Sequence, residues 1–235
     1  MIPVVLDDAL PPAALTTITS VSMELPNRSR SAWLDASIGD SPLLAIFALL
    51  QAMVEKYAGA TDLCGAEWWA RRSPGYHFQG WHVDKDEVLF RRSGRVKCPS
   101  IASVLYLGNP GGPTLISSQV STADGSALIP AELERAWLVP PKLNRLVMFS
   151  GDAAHAVLPD AGCVDVRSTV PINWWSTPIE IDDVLSYRWS GSGLGNPIGG
   201  QPEPMISSAV PVSAIQLAAG DFPRTIRQSW PPRRD

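Results

Sequence analysis

The chain has 235 residues, 45% of them hydrophobic and 18% charged, with a formal net charge of −4. That length and apolar content suit a single domain over residues 1–235 with its own core, and the acidic balance argues against a dedicated nucleic-acid surface, which carries a basic patch. Cysteines at 64, 98 and 163 are too few and too far apart for a disulfide framework or a zinc cluster, so a reducing, cytoplasmic setting is expected.

In chain order, the N-terminus lacks the basic-then-apolar form of a signal peptide. Residues 42–58 form the best helix candidate: Pro42 stands where a first helical position tolerates it, and Gly59 where a C-terminal glycine is expected. This helix should pack outside a sheet. The longest apolar run, residues 43–50, is too short to span a membrane. From about Glu67 onward, short apolar runs alternate with Gly, Pro, Asn and Asp turns, a rhythm that predicts a mainly β fold, flanked by helices, closing into a jelly roll. After Trp175 the texture changes. Residues 190–204 are turn formers without periodicity. Residues 206–235 regain apolar side chains and read either as a tail packed back over the domain, as part of a lid, or as a flexible end. No internal repeat is present.

Chemistry concentrates at three residues. His82 and Asp84 are separated by one position in Gly80-Trp81-His82-Val83-Asp84, and His155 stands alone far downstream. On a strand, side chains two apart share a face, so His82 and Asp84 can reach one ion while Val83 turns away. Two imidazoles and one carboxylate leave the other positions of a metal open, the facial triad of non-heme Fe(II) oxygenases. The chain holds three histidines in all, and the triad would use two. Beyond His155, residues 164–175 (Val-Asp-Val-Arg-Ser-Thr-Val-Pro-Ile-Asn-Trp-Trp) read as a strand that puts Arg167 and Thr169 on one face. A guanidinium beside a hydroxyl suits the distal end of a dicarboxylate, because the planar fork grips a carboxylate with two charge-assisted bonds.

His82-x-Asp84, His155 and then Arg167-Ser168-Thr169 resemble the ordered signature of the Fe(II)- and 2-oxoglutarate-dependent dioxygenases. The gap from 155 to 167 is slightly longer than the family's commonest form. Residues 100–108 followed by Gly111-Gly112-Pro113-Thr114 look like the strand, turn and strand after the motif in prolyl-hydroxylase-like members. Residues 143–152 are similar to the lead into their distal histidine, and residues 4–11 to their opening. The resemblance covers roughly residues 1–176, with 76–175 its specific part. It implies a double-stranded β-helix with Fe(II) held near its mouth by His82, Asp84 and His155. It further implies 2-oxoglutarate bound through Arg167 with help from Thr169, and O2 consumed. An unactivated C–H bond of an amino-acid, peptidyl or secondary-metabolite substrate would be hydroxylated, with release of succinate and CO2. Family halogenases replace the carboxylate with a small residue, so Asp84 points to hydroxylation or a related oxidation.

Other residues carry two readings each. His77 falls off the motif's register and reads as a rim or supporting residue, whereas Tyr76 and Phe78 share the inward face if the strand is regular. Tyr76 and Tyr106 are hydroxyl donors or core tyrosines, and Thr114 lines the pocket or a strand. Among nine tryptophans, Trp81, Trp174 and Trp175 wall a substrate pocket or fill cores. Asp86 and Glu87 are substrate contacts or solvated carboxylates. Arg91, Arg92, Arg95 and Lys97 form a basic groove or a solvated loop. Two other classes of function remain: a cupin-like metal isomerase or hydrolase, which usually needs more histidines, and a non-catalytic jelly-roll binding module. A small-molecule or peptidyl partner is expected, with no nucleic acid and no membrane.

Overall fold

Helix α1 (Pro12–Glu24) follows β1 (Val4–Asp7) and starts at Pro11 and Pro12. Their fixed φ and missing N–H cost a first helical turn nothing. After β2 (Ala32–Leu34) comes α2 (Pro42–Met53), which continues as a π-helical turn over Val54–Ala58 and stops at Gly59, where φ is 75°. The helix expected over 42–58 is thus present, its last turn wound wider than an α-helix. The computed structural model describes residues 1–25, 27, 31–34, 42–181 and 209–218.

The remainder is β structure with one short helix. In order come β3 (Gly65–Trp68), β4 (Arg71–Pro74), β5 (Gln79–His82), α3 (Glu87–Ser93), β6 (Ile101–Tyr106), β7 (Thr114–Ser121) and β8 (Leu128–Ile129). Then follow β9 (Arg135–Val139), β10 (Arg145–Ser150), β11 (Ala153–Val157), β12 (Val166–Trp175), β13 (Val210–Val212) and β14 (Ile215–Ala218). The strands form two antiparallel sheets. The larger runs β13-β1-β10-β6-β12-β3-β2, with β4 also on β12; the smaller runs β14-β9-β7-β11-β5, with β8 on β7. From β4 to β7 and again from β9 to β12 the chain steps from one sheet to the other at each strand. This is a jelly roll, a double-stranded β-helix.

Burial follows the layers. Val170, Ile172 and Trp174 of β12 join Leu105, Leu146 and Met148 beneath α1 and α2, which contribute Ile18, Val21, Ile46, Phe47 and Leu50. Between the sheets lie Ala102, Val104, Tyr106, Val147 and Phe149 from the larger, with Ile116, Val139 and Ala153 from the smaller. All six residues of β6 are buried because helices cover one face and a sheet the other. The opposite parity on β12 puts Arg167, Thr169, Asn173 and Trp175 on the face between the sheets. Those residues line the space in which the site is built.

The tail is described only at 209–218, where β13 pairs with β1 and β14 with β9. These two short strands extend one edge of each sheet. The rest of the tail, including 190–208 and 219–235, lies outside the described residues. No described helix is long and apolar enough to cross a membrane, and all three cysteines are free thiols.

Candidate metal and dicarboxylate site

His82 and His155 are direct cross-strand partners on β5 and β11, a relation that brings Cβ atoms within about 5 Å. Their ring centroids lie 4.2 Å apart. Asp84 adds its carboxylate, with Oδ2 3.8 Å from His155 Nε2. One ligand atom from each of the three falls within 4.8 Å of the others. β5 ends at His82 rather than running through Asp84, yet the side chains converge as period-two spacing requires, and Val83 is buried away from them.

Each ring is held in the tautomer a metal needs. His82 Nδ1 bonds the carbonyl of Gly80 at 2.9 Å and His155 Nδ1 that of Ala153 at 3.0 Å. An Nδ1–H that donates to backbone leaves the Nε2 lone pair as the ligand. Gln79 donates its amide N–H to His82 Nε2 at 2.8 Å, which agrees with that assignment. Phe149 meets the His155 ring edge-on at 4.9 Å and excludes water from one side. Burial, then the neighbouring His155, holds His82 well below the usual imidazole range, while burial lifts Asp84 against the pull of His155 and Lys85. Neutral imidazoles beside one carboxylate, on one side of a common point, fit a divalent ion of the iron type.

Across the space stands Arg167, only 3% exposed. Its Nε donates to Gly112 O at 3.2 Å and its Nη2 to Thr114 Oγ1 at 3.0 Å, and the guanidinium lies 5.2 Å over the Tyr106 ring. All of these partners are neutral. Among the described residues Arg167 has no acidic partner, and an uncompensated buried charge is costly. The Gly111-Gly112 pair is explained here. Gly111 has φ +100 and a Cβ there would lie 2.6 Å from Arg167 Cβ, while one at Gly112 would strike Leu158 O at 1.7 Å. Thr169 shares the face of Arg167, buried, with its hydroxyl unpartnered among the described residues. Thr114 is the threonine that touches the guanidinium.

The structure overturns one expectation and decides between other readings. The chain turns at residues 75–78, so Tyr76 and Phe78 are exposed at 56% and 37% instead of inward. Trp174 sits in the helix-side core against Phe47 and Trp81 packs behind the smaller sheet, so of the three tryptophans Trp175 alone faces the site. Asp86 is the N-cap of α3, accepting from Leu89 N at 2.8 Å, and Glu87 pairs with Lys85 at 2.7 Å. Arg92 binds Glu180 and Lys97 the carbonyl of Pro178, so these two cations hold the segment after β12. Glu67, Gln79 and Asn173 went unnoticed in the sequence. Extending the Arg167–Thr169 alternation by four residues reaches Asn173, and Glu67 is a lone acid in an apolar run.

No family model matches the chain, and no curated protein does. Solved structures similar to it include a prolyl-4-hydroxylase from Pseudomonas putida, 18% identical over 77% of this chain and 87% of the other, with TM-score 0.48. A 2OG-Fe(II) oxygenase family oxidoreductase from Burkholderia pseudomallei is 13% identical over 75% and 86%, with TM-score 0.47. HygX from Streptomyces hygroscopicus, with nickel and 2-oxoglutarate bound, is 12% identical over 74% and 81%, with TM-score 0.46.

Proposed function

We propose that this single domain is an Fe(II)- and 2-oxoglutarate-dependent dioxygenase that hydroxylates an unactivated C–H bond of an amino-acid, peptidyl or secondary-metabolite substrate. Succinate and CO2 are the co-products. The observation that carries this reading is the pairing of the His82, Asp84 and His155 cluster with a buried Arg167, without an acidic partner among the described residues, in one inter-sheet space. A triad alone would serve many metal enzymes. A guanidinium with no acidic partner among the described residues asks for a carboxylate from outside.

His82, Asp84 and His155 would hold the iron, which when bound supplies the activation of O2 and of the keto acid. Arg167 receives the distal carboxylate of 2-oxoglutarate through its planar fork, and Thr169 adds its hydroxyl. Thr114 and Gly112 O keep the guanidinium in place before the co-substrate arrives. Gly80 O and Ala153 O orient the two imidazoles. Phe149 and Tyr106 wall the space with apolar surface, which keeps water from competing. The protein's share is orientation and electrostatics.

Anaerobic titration of the purified chain with Fe(II) and then 2-oxoglutarate should develop the visible charge-transfer band of the chelate. Arg167→Ala should raise the half-saturating 2-oxoglutarate concentration by about 100-fold, the worth of a charge-assisted pair, with iron binding kept. Asp84→Ala should lose the band. A folded wild-type protein that gives no band would turn the reading toward a cupin-like enzyme or a binding module.

A further inference from the structure

The inward face of β12 does not end at Thr169. Four residues on, Asn173 is 3% exposed, and its Oδ1 is buried without a partner among the described residues. Its Nδ2 leans to Glu67 Oε2 at 3.4 Å. Two further on, Trp175 is buried with its Nε1 also outside hydrogen-bonding geometry, although it favours the Glu67 carboxylate electrostatically. Glu67 lies beside Asn173 in register on β3, and Trp33 beside Glu67 on β2, so all three share the inward face. The Trp33 ring lies flat across Gly65, where a Cβ would come within 2.2 Å of Cζ2. Gly65 is in turn the register partner of Trp175. An acid and an amide oxygen are thus bordered by two indoles.

This cluster sits away from the dicarboxylate end. Asn173 pairs with Ala102 and Ala102 with Phe149, and Phe149 touches the His155 ring. The row therefore passes the metal ligands, while Arg167 lies about 20 Å along the strand from Asn173 at strand rise. Glu67 is close enough to Asp84 to be raised by it in addition to burial, against hydrogen bonds from Ser31 and Asn173. It has no cationic partner among the described residues. The nearby ammonium groups are engaged elsewhere: Lys85 with Glu87 and the Phe90 ring, Lys97 with Pro178 O. Lys97 rests 5.7 Å from the Trp175 centroid, so that ring already accepts one cation.

We infer that Glu67, Asn173 Oδ1 and the indoles of Trp33 and Trp175 form a subsite for a protonated primary amine of the substrate, an inference that rests on the proposed oxygenase reading for its role. The chemistry is complementary. An ammonium brings three donors and no acceptor, and two acceptors with two aromatic faces are what such a group needs. A neutral alcohol of the same shape offers one donor and no charge. The subsite specifies which end of the substrate enters first, and so which carbon lies near the triad.

Indole fluorescence of the full chain, titrated at neutral pH with benzylamine, hexylamine and Nα-acetyl-lysinamide, reads this directly without turnover. Benzyl alcohol, hexanol and Nα-acetyl-norleucinamide are the neutral matches. The amines should bind saturably and at least about tenfold more tightly than their matches, and Glu67→Gln should abolish the preference. Asn173→Leu, which keeps the branched shape, should weaken amine binding severalfold, and circular dichroism with Mn(II) binding verifies the fold of both variants. Tighter binding of the lysinamide than of hexylamine would make the amine's source peptidyl; the reverse, a free metabolite. Equal binding of amines and neutral matches, no saturable amine binding, or an amine preference that survives Glu67→Gln would overturn the inference. A chelate band without amine preference overturns this inference alone, and amine preference without a chelate band overturns the oxygenase reading alone.

Discussion

Thr114 has one hydroxyl proton and two neighbours. Arg167 can only donate, so its Nη2–H enters Thr114 Oγ1 at 3.0 Å. Tyr106 Oη, 2.6 Å from Thr114 Oγ1, donates to Val139 O at 3.2 Å. The Thr114 proton must then pass to Tyr106, and a one-way chain runs from guanidinium to hydroxyl, phenol and carbonyl. Thr114→Val should break it at the first link, costing about 1–2 kcal/mol of stability in urea denaturation and raising the 2-oxoglutarate requirement about tenfold. Thr114→Ser should restore both. The convergence of His82, Asp84 and His155 and the inward face of Arg167 were legible in the sequence because type, order and period-two spacing are local signals. The partnership of Thr114 with Arg167 was not, since it joins strands 53 residues apart. Glu67 was hidden for the same reason: β3 and β12 meet only in the folded sheet.

At the scale of elements, the turn between β6 and β7 decides how closely Arg167 can be approached. Gly112 faces the Leu158 carbonyl so tightly that any side chain must push the loop after β11 outward. Gly112→Ala should therefore destabilise by about 2–3 kcal/mol, an overpacking cost, and should weaken 2-oxoglutarate binding in the same variant. Unchanged melting and binding would show that the loop yields freely. The helix over 42–58 could be read in advance because Pro42 and Gly59 mark both ends within the sequence itself. The limits of β5 could not. Its first residue depends on a turn held by Gly75 N to Asp165 O at 2.8 Å and Asp160 N to Gly75 O at 3.1 Å, which are tertiary bonds, and Tyr76 and Phe78 went outward with that turn.

Across the whole molecule, Asp7 fastens the first strand to the turn before β10. Arg145 donates to its carboxylate through Nε at 2.6 Å and Nη2 at 3.0 Å, and Lys142 at 2.7 Å. The Arg145 bond, helped by Lys142, holds Asp7 below its usual 3.8 despite burial. A carboxylate whose native pKa is depressed contributes stability above its unfolded value and loses it as pH falls through the native one. Asp7→Asn should cost about 2–3 kcal/mol at neutral pH, and the gap from wild type should narrow below about pH 4. Equal loss at both pH values would mean that shape, not charge, is at stake. The buried Arg167 has a consequence at this scale too. Under the proposed function, a native state carrying a cation with no counter-charge among the described residues would be stabilised by whatever dicarboxylate it captures, so folding and co-substrate supply would become a single mass-action equilibrium. Metal-loaded protein held anaerobically at 100 times its dissociation constant for 2-oxoglutarate should gain about 2.7 kcal/mol, and its melting temperature should climb with the logarithm of co-substrate. In Arg167→Ala that climb should flatten, which makes heat resistance a gauge of how full the site is.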